Sequence, residues 1–232
     1  MKKYFTLFFA LYLSSLSAQW EKLSAPGITS NIMLAKGNGH LFAVSNFSDL
    51  QRSASNGLSW QSMTNPLPYN PLVYRKYQSI DADDNLLVVL LLEETGGTRV
   101  WQSVDLGDHW TELPGSPVSN TIDSDDGIHV HLGEVYLNVN GELYRYNGGS
   151  WNLIPSFQSG FTKKFAFKNN QIWMTTYQKM QYSDNLGATW IDVTTPFNWA
   201  HSIASDGNGI LVATENNIYY TADDGLIWEQ RA

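Results

Sequence analysis

Short runs of alternating polar and apolar residues, separated by turns rich in glycine and asparagine, dominate this chain. Three such runs follow one another between residues 128 and 147, with turns at Gly133 and at Asn140-Gly141. Alternation with a period of two between such turns is typical of β-strands joined by hairpins. Because no long helical periodicity is present, the pattern predicts an all-β protein. The clearest runs are Ile128–Leu132, Glu134–Val139, Glu142–Asn147, His201–Ser205, Ile210–Glu215 and Asn217–Ala222.

An eight-residue motif that ends in tryptophan recurs between these runs. Four copies have a hydroxyl residue at the first position, glycine at the fifth and tryptophan at the eighth, and a fifth copy retains only the glycine and the tryptophan. Trp20 and the five motif tryptophans are separated by 40, 50, 41, 39 and 38 residues. Since each interval fits one four-stranded blade, the spacing predicts a β-propeller of five blades. The glycine and tryptophan pairs are Gly57 and Trp60, Gly107 and Trp110, Gly148 and Trp151, Gly187 and Trp190, and Gly225 and Trp228.

This Ser-x-Asp-x-Gly-x-x-Trp pattern resembles the Asp-box, or BNR repeat, of sialidases, sortilin-type receptors, some glucanases and photosystem II assembly factors. The resemblance covers essentially all of the chain after residue 18. It implies that each motif is a structural turn between the third and fourth strands of a blade, on the face away from any active site. The hydroxyl and acidic positions that carry the resemblance are Ser53, Ser103, Asp105, Ser183, Asn185, Thr221 and Asp223.

The physical logic of the motif is that of a folded turn. The hydroxyl and carboxylate groups bind the backbone of their own loop, glycine takes a positive φ, and tryptophan packs between strands. Asn185 and Ser55 replace the aspartate in two copies, so we expect neutral and weaker bonds there. The copy that begins at Tyr144 lacks both polar positions and must close its turn differently.

The first eighteen residues have the pattern of an export signal. Lys2 and Lys3 precede an apolar run, Tyr4–Leu13, and a small-residue exit, Ser15–Ala18. The run is about half of the roughly 20 residues that a membrane-spanning helix needs, although an uncleaved anchor is the alternative interpretation. We therefore predict a signal peptide at residues 1–18, one propeller domain at residues 19–232, and a secreted or periplasmic protein.

Composition narrows the classes of partner. Hydrophobic residues make up 43% of the chain and aromatic residues 13%, which suffices for a substantial core. The formal net charge is −8, and it becomes −10 without Lys2 and Lys3, so nucleic acid and anionic membrane surfaces are poor partners. The chain has no cysteine, which excludes disulfides, thiol nucleophiles and thiolate metal sites and fits a bacterial envelope or secreted protein.

The way in which the ring closes is open, because six candidate outer strands serve five blades. We expect the segment Trp20–Leu23 to complete the last blade and the residues after Trp228 to cap it. The alternative is that the chain forms part of a larger ring.

A ligand is expected on the face opposite the tryptophan motifs, where the connections between blades lie. These connections are about residues 24–30, 64–76, 114–127, 155–162 and 194–200. Aromatic side chains there can stack on sugars or anchor a protein. The ligand candidates are Tyr69, Tyr74, Arg75, Asp123, Asp125, Asp126 and Trp199.

Catalytic and metal chemistry has only partial support in the sequence. The sialidase resemblance implies three arginines on the ligand carboxylate and an Arg-Ile-Pro segment, but that segment is absent, and Arg52, Arg99 and Arg145 fall on predicted third strands. Other glycosidases need two carboxylates about 5 to 10 Å apart, for which Asp123–Asp126 would require a partner such as Asp81.

Two candidate metal sites have simpler explanations. The segment Asp123–Gly127 offers oxygen ligands for calcium, but a solvated turn accounts for the same residues. His129 and His131 lie on one face of a predicted strand, at a spacing that suits a transition metal, yet no third ligand is fixed by the sequence. We expect no metal or cofactor.

The function expected from these observations is that of an exported, non-catalytic binding or assembly module. Its partner would be a glycan or an envelope or extracellular protein. A glycoside hydrolase is the alternative.

Overall fold

A computed structural model describes most of the chain in eight segments. These segments are residues 32–45, 50–66, 75–84, 86–93, 97–117, 127–155, 164–176 and 179–231. The predicted signal peptide at residues 1–18, the segment Trp20–Leu23 and most of the long connections lie outside them. Within the described segments no helix is long and apolar enough to cross a membrane.

Twenty described strands form five four-stranded antiparallel sheets, which are the blades of a β-propeller. The first blade contains β1 (Ile32–Gly37), β2 (His40–Ser45), β3 (Leu50–Ser53) and β4 (Gln61–Ser62). The second contains β5 (Arg75–Ala82), β6 (Leu87–Glu93), β7 (Gly97–Ser103) and β8 (Thr111–Leu113). The third contains β9 (Gly127–His131), β10 (Glu134–Val139), β11 (Glu142–Asn147) and β12 (Ser150–Leu153). The fourth contains β13 (Lys164–Lys168), β14 (Gln171–Thr175), β15 (Met180–Ser183) and β16 (Ile191–Val193). The fifth contains β17 (Ser202–Ser205), β18 (Ile210–Ala213), β19 (Ile218–Thr221) and β20 (Glu229–Gln230).

Each blade is a meander in which consecutive strands are neighbours. The first strands of successive blades contact one another, as β1 contacts β5 and β5 contacts β9, so the first strand of each blade is the innermost. Turns after the first and third strands therefore share one face, here called the motif face. Turns after the second strand and connections between blades share the opposite face, here called the connection face. The all-β, five-bladed prediction is confirmed.

Four apolar clusters fill the seams between successive blades, numbered one to four in chain order. Trp173 is completely buried in the fourth seam, and Trp101 is half-buried beside the first. Trp101 lies in β7 and Trp173 in β14. Burial of such large apolar side chains removes much hydrocarbon surface from water, so the seams hold the blades together.

The sequence-based prediction for the last blade was wrong. Glu229 and Gln230 form its outer strand, with Tyr220 opposite Glu229 and Tyr219 opposite Gln230. The backbone N–H of Arg231 continues the ladder by donating to the carbonyl of Ile218 over 2.8 Å. Two residues after Trp228 thus suffice to pair with β19, and the residues expected to cap the blade complete it instead.

Candidate functional site

The four complete tryptophan motifs lie between the third and fourth strands of their blades. In each, the hydroxyl oxygen of the first residue accepts a hydrogen bond from the glycine N–H four residues later. The distances are 2.9 Å at Ser53, 2.8 Å at Ser103, 2.8 Å at Ser183 and 2.9 Å at Thr221. The glycines have φ of 82° to 92°, a region in which a β-carbon is strained.

A second bond closes the same turns through the third motif position. The carboxylates of Asp105 and Asp223 each accept the backbone N–H four residues later, over 2.8 and 2.9 Å. These bonds lower the pKa of both groups from 3.8. The Asn185 side-chain carbonyl accepts the N–H of Thr189 over 2.9 Å, and the Ser55 hydroxyl accepts that of Ser59 over 3.0 Å. The amide and hydroxyl replacements therefore make the same bond without charge.

The complete motifs of the second, fourth and fifth blades also bind the preceding blade. The indole N–H of the tryptophan donates to the carbonyl four residues after the preceding motif tryptophan. These bonds are Trp110 to Thr64 (2.8 Å), Trp190 to Pro155 (2.9 Å) and Trp228 to Thr194 (3.0 Å). The motif glycines face the residue just before that carbonyl, namely Met63, Ile154 and Val193. A β-carbon on Gly107, Gly187 or Gly225 would collide with these side chains.

The third blade departs from this arrangement. Its third and fourth strands meet in a tight hairpin, in which Asn147 pairs with Ser150 across Gly148 and Gly149. Both glycines have positive φ, and an added β-carbon would meet nothing within 4 Å of either. The buried indole nitrogen of Trp151 has no hydrogen-bond partner among the described residues. The motif copy that lacks the hydroxyl thus also lacks an indole hydrogen bond to the preceding blade among the described residues.

Side chains of the inner strand β5, and of Asp83 just after it, join the blades at the second seam instead. The Ser79 hydroxyl accepts the N–H of Ile128 over 3.2 Å, and the Asp83 carboxylate accepts that of Gly133. One Asp81 oxygen accepts the N–H of Val130 and the other that of Ala82, both over 2.9 Å. Burial raises the pKa of Asp81 to about 6 despite these bonds. Asp81, considered above as the second carboxylate of a glycosidase, therefore has both oxygens engaged, one in joining two blades and the other within its own strand.

His129 and His131 both contact the ring of Phe167 from the inner strand β9. Desolvation lowers the pKa of His129 to about 4, and the Nε2 atom of His131 hydrogen-bonds the carbonyl of Asn169. The described residues contain no group of three His, Cys, Asp or Glu side chains arranged to hold a metal. The two imidazoles pack at the seam between the third and fourth blades.

A pocket of about 510 Å³ opens on the connection face at the fifth blade. Its walls are the connection from Pro196 to His201 and the turn from Thr214 to Asn217, with Tyr219 between them. The turn is rigid, because the N–H and hydroxyl of Thr214 both donate to the carbonyl of Asn217, over 2.9 and 3.0 Å. Three of its walls are aromatic: Phe197, Trp199 and Tyr219.

Two of these aromatic rings pack against other rings, and the third is more exposed to solvent. The ring centroid of Phe197 lies 5.1 Å from that of Tyr219 and 5.4 Å from that of Trp228, which it meets edge-on. Trp199 is 55% exposed, and it is the only strongly exposed phenylalanine, tyrosine or tryptophan in the described segments. A tryptophan at the mouth of a polar pocket offers a large apolar face to a ligand.

Most polar side chains that line this pocket are planar. They are Asn198, His201, Glu215, Asn216 and Asn217, and among the described lining residues there is no lysine or arginine. The Asn217 side chain accepts a hydrogen bond from Gln230 over 2.8 Å. Glu215 is exposed and makes no hydrogen bond or ion pair with any described residue.

A second cavity, of about 280 Å³, lies on the motif face between the third and fourth blades. Its polar walls include Glu134, Arg145, Gln171 and Asp184. Glu134 and Arg145 form an ion pair with each other, which satisfies the main charges of this cavity from within.

Of the ligand candidates named from the sequence, only Trp199 has a described side chain. Arg75 begins β5, but its side chain is not described. Tyr69, Tyr74, Asp123, Asp125 and Asp126 lie outside the described residues. Sequence reasoning did not single out Glu215 or Tyr219 as ligand candidates, because the approach of the 214–217 turn to the 194–200 connection depends on the packing of the blade.

Comparisons with known proteins bear on the fold. No protein-family profile and no curated protein matches this chain. Solved structures do match. YCF48 from Cyanidioschyzon merolae has a TM-score of 0.57 and 14% identity, over 85% of this chain and 70% of that chain. The GH74 xyloglucanase from Xanthomonas campestris has a TM-score of 0.61 and 12% identity, over 86% of this chain but only 38% of that enzyme. A structure of YCF48 bound to D1 peptide has a TM-score of 0.46 and 15% identity, over 87% of this chain and 81% of that chain. At these identities the first two likenesses show the propeller fold and no more.

Proposed function

We propose that this protein is an exported, non-catalytic binding or assembly module that takes a glycan or protein partner on the connection face of its fifth blade. The observation that carries the proposal is the pocket between residues 196–201 and 214–219. It combines an exposed tryptophan, a rigid turn and several planar polar side chains in one concavity of about 510 Å³. Concave sites with aromatic walls and a few placed polar groups are typical ligand sites.

The chemistry of the pocket favours binding over catalysis. Hydrolysis of a glycosidic bond uses a pair of carboxyl groups across the sugar. Among the described residues that line this pocket, Glu215 is the only carboxylate. The GH74 neighbour is named as a xyloglucanase, but its likeness reaches only the fold, so a glycoside hydrolase remains the second outcome of the test rather than a second proposal.

The described arginines also favour binding over a sialidase reaction. Arg52 pairs with Asp108 over 3.0 Å, Arg99 with Glu112 over 2.6 Å, and Arg145 with Glu134. All three lie on third strands and outside the pocket. Cations that are already paired with acids of their own blade or a neighbouring one are poorly placed to grip the carboxylate of a sialic acid.

Export and membership of the Asp-box family complete the proposal. The basic start and apolar run of residues 2–13 support export, and the hydroxyl-to-glycine bonds of the four complete motifs support the family resemblance. Export is tested by determining the N-terminus of the protein recovered from outside the cytoplasm, where we expect Gln19 or Ala18. Recovery of the protein from the cytoplasm alone would contradict export, and Met1 retained outside the cytoplasm would indicate the uncleaved anchor instead.

The binding proposal is tested with the purified chain from Gln19 on arrays of glycans and peptides, with retention and mass-detected cleavage both recorded. We expect retention without cleavage, and a loss of at least about tenfold in affinity for Trp199→Ala, because stacking aromatic rings at binding hot spots contribute a few kcal/mol. Leu226→Ala is the matched control, since Leu226 is 85% exposed on the motif face. Cleavage of any glycan would replace the proposal with a hydrolase. Retention that Trp199→Ala leaves unchanged would remove the site.

A further inference from the structure

The acidic residues of the fifth blade differ in whether they have a hydrogen-bond or ion-pair partner. Residues 201–231 contain five acidic residues and one basic residue. Four of the five acids have partners. Asp206 accepts the N–H groups of Asn208 and Gly209, and Asp223 closes its motif turn. Asp224 pairs with Lys168 over 2.8 Å, and Glu229 pairs with Arg231 over 2.8 Å.

Glu215 is the exception, and it is the acid that lines the pocket. It stands at the tip of the turn between β18 and β19, where the bonds of Thr214 and Asn217 fix the backbone. The single arginine of the blade does not compensate it, because the Arg231 guanidinium lies over the ring of Tyr220 and binds Glu229. Glu215 therefore places on this turn, whose backbone is fixed, a carboxylate that no described cation pairs with.

The aromatic lining adds a second attraction for a cation. Ammonium and guanidinium groups bind the faces of aromatic rings, and tryptophan is the best of them. Trp199, which is 55% exposed, lines the same pocket as Glu215. A carboxylate and an exposed indole around one concavity suit a cation better than a neutral sugar or an anion.

Resting on the function proposed above, we propose that this pocket binds the cationic side chain of a protein partner, a lysine or an arginine, between the Glu215 carboxylate and the Trp199 ring. Asn198 and Asn216 supply acceptor oxygens for the remaining N–H groups of the cation. The net charge of −8 for the whole chain favours the approach of a basic segment at long range.

The test is a titration of the purified chain with short capped peptides, followed by the indole N–H signals in NMR spectra. One peptide contains two arginines, a second contains two lysines, and a third contains two citrullines, which have the shape of arginine without its charge. We expect the arginine peptide to bind about tenfold more tightly than the citrulline peptide, because a cation–π contact and an ion pair together contribute about 1.4 kcal/mol.

Two variants assign that preference to the pocket. In Glu215→Gln the preference of arginine over citrulline should fall to less than about threefold, whereas Asp184→Asn should keep it. Asp184 is an equally exposed acid on the motif face, so its variant loses the same charge elsewhere. Equal binding of the arginine and citrulline peptides to the unaltered chain would overturn the inference. Equal loss of the preference in both variants would do the same, because it would reflect net charge alone.

The two proposals fail in different ways. If a neutral glycan binds in a manner that depends on Trp199 and the arginine peptide does not, the cation is wrong and the binding site stands. If no glycan or peptide shows binding that depends on Trp199, both are wrong.

Discussion

The second and third seams of the propeller join similar blades by different means. At the third seam, the motif turn of the fourth blade reaches back to the third blade, with the Trp190 indole on the carbonyl of Pro155 and Gly187 against Ile154. At the second seam, the corresponding turn is a short hairpin in which a β-carbon added to Gly148 would meet nothing within 4 Å. The Trp151 indole nitrogen has no hydrogen-bond partner among the described residues. There Ser79 and Asp81 of the inner strand β5 bind β9, and Asp83, which follows β5, binds Gly133 in the turn after β9.

The two seams show that a blade can be attached to its neighbour in either of two places. One is the motif turn near the rim of the ring, and the other is the innermost strand near its axis. A rim attachment uses neutral groups, an indole and a backbone carbonyl, and does not depend on pH. The axial attachment includes a carboxylate that burial makes reluctant to ionise, so it does depend on pH. A motif that lost its polar residues is thus accompanied by charged groups elsewhere in the same seam.

The largest expected effect comes from filling the space between the motif turn and the preceding blade. In Gly187→Ala, the new β-carbon would collide with the Ile154 side chain and approach the Pro155 carbonyl oxygen, at a φ of 82°. We expect the free energy of unfolding to fall by about 3 kcal/mol, from overpacking and left-handed strain together. Urea unfolding measures this change.

Gly148→Ala is the matched control for the second seam. Its φ of 62° imposes similar backbone strain, but the added carbon meets nothing within 4 Å. We expect a loss of about 1 kcal/mol, from strain alone. Equal losses in the two variants would show that the motif turn does not press on the preceding blade.

The second prediction concerns pH and isolates Asp81. Because its pKa is about 6 in the folded protein and 3.8 ordinarily, the folded chain holds this proton more tightly than the unfolded chain. Its contribution to stability is complete below pH 3.8 and is lost as pH rises through 6. On acidification from about pH 7.5 to about pH 5, we expect the unaltered protein to gain about 1.5 kcal/mol relative to Asp81→Asn.

The comparison with the variant at each pH is essential, because His129 acts in the opposite direction. Its pKa of about 4 lies below the ordinary 6.5, so its contribution is present above pH 6.5 and is lost as pH falls. Both proteins contain His129, and its effect cancels in their difference. If the difference in free energy of unfolding between the two proteins does not change with pH, Asp81 is not the carboxylate that makes the stability of the second seam depend on pH.

The smallest expected effect comes from the indole bonds. Trp190→Phe removes the N–H that binds the Pro155 carbonyl, and we expect it to cost about 1 kcal/mol more than Trp151→Phe. The Trp151 N–H has no partner among the described residues, so its removal forfeits no bond there. Both tryptophans are half-buried, which makes their loss of apolar contact comparable. A larger loss for Trp151→Phe would show that its indole binds a group outside the described residues.

The fold was predictable from the sequence because its strongest signals are local. The spacing of Trp60, Trp110, Trp151, Trp190 and Trp228 predicts five blades, and alternation within Glu134–Val139 and Glu142–Asn147 predicts strands whose bounds the structure reproduces. The last outer strand was missed, since Glu229 and Gln230 form only a two-residue run. Such a short strand takes its identity from the neighbour with which it pairs.

The candidate site was predictable only in part, because its members come together through packing. Sequence position alone placed Trp199 in a connection on the ligand face, whereas Glu215 and Tyr219 join it only when β18, β19 and the connection are folded. The role of Asp81 was also inaccessible, since its partner Val130 is 49 residues away. One local regularity does mark these contacts: the residues three and four positions after Trp60, Trp151 and Trp190 are those that the next complete motif contacts.

That backward reach gives the chain a direction of assembly. Each blade is a meander of adjacent strands, so it needs only short loops to close before it forms. The indole hydrogen bonds of Trp110, Trp190 and Trp228 are all made to the blade that was synthesised earlier. A blade that emerges later therefore finds the carbonyl that its indole binds already exposed on a folded neighbour, and these bonds favour folding from the amino end.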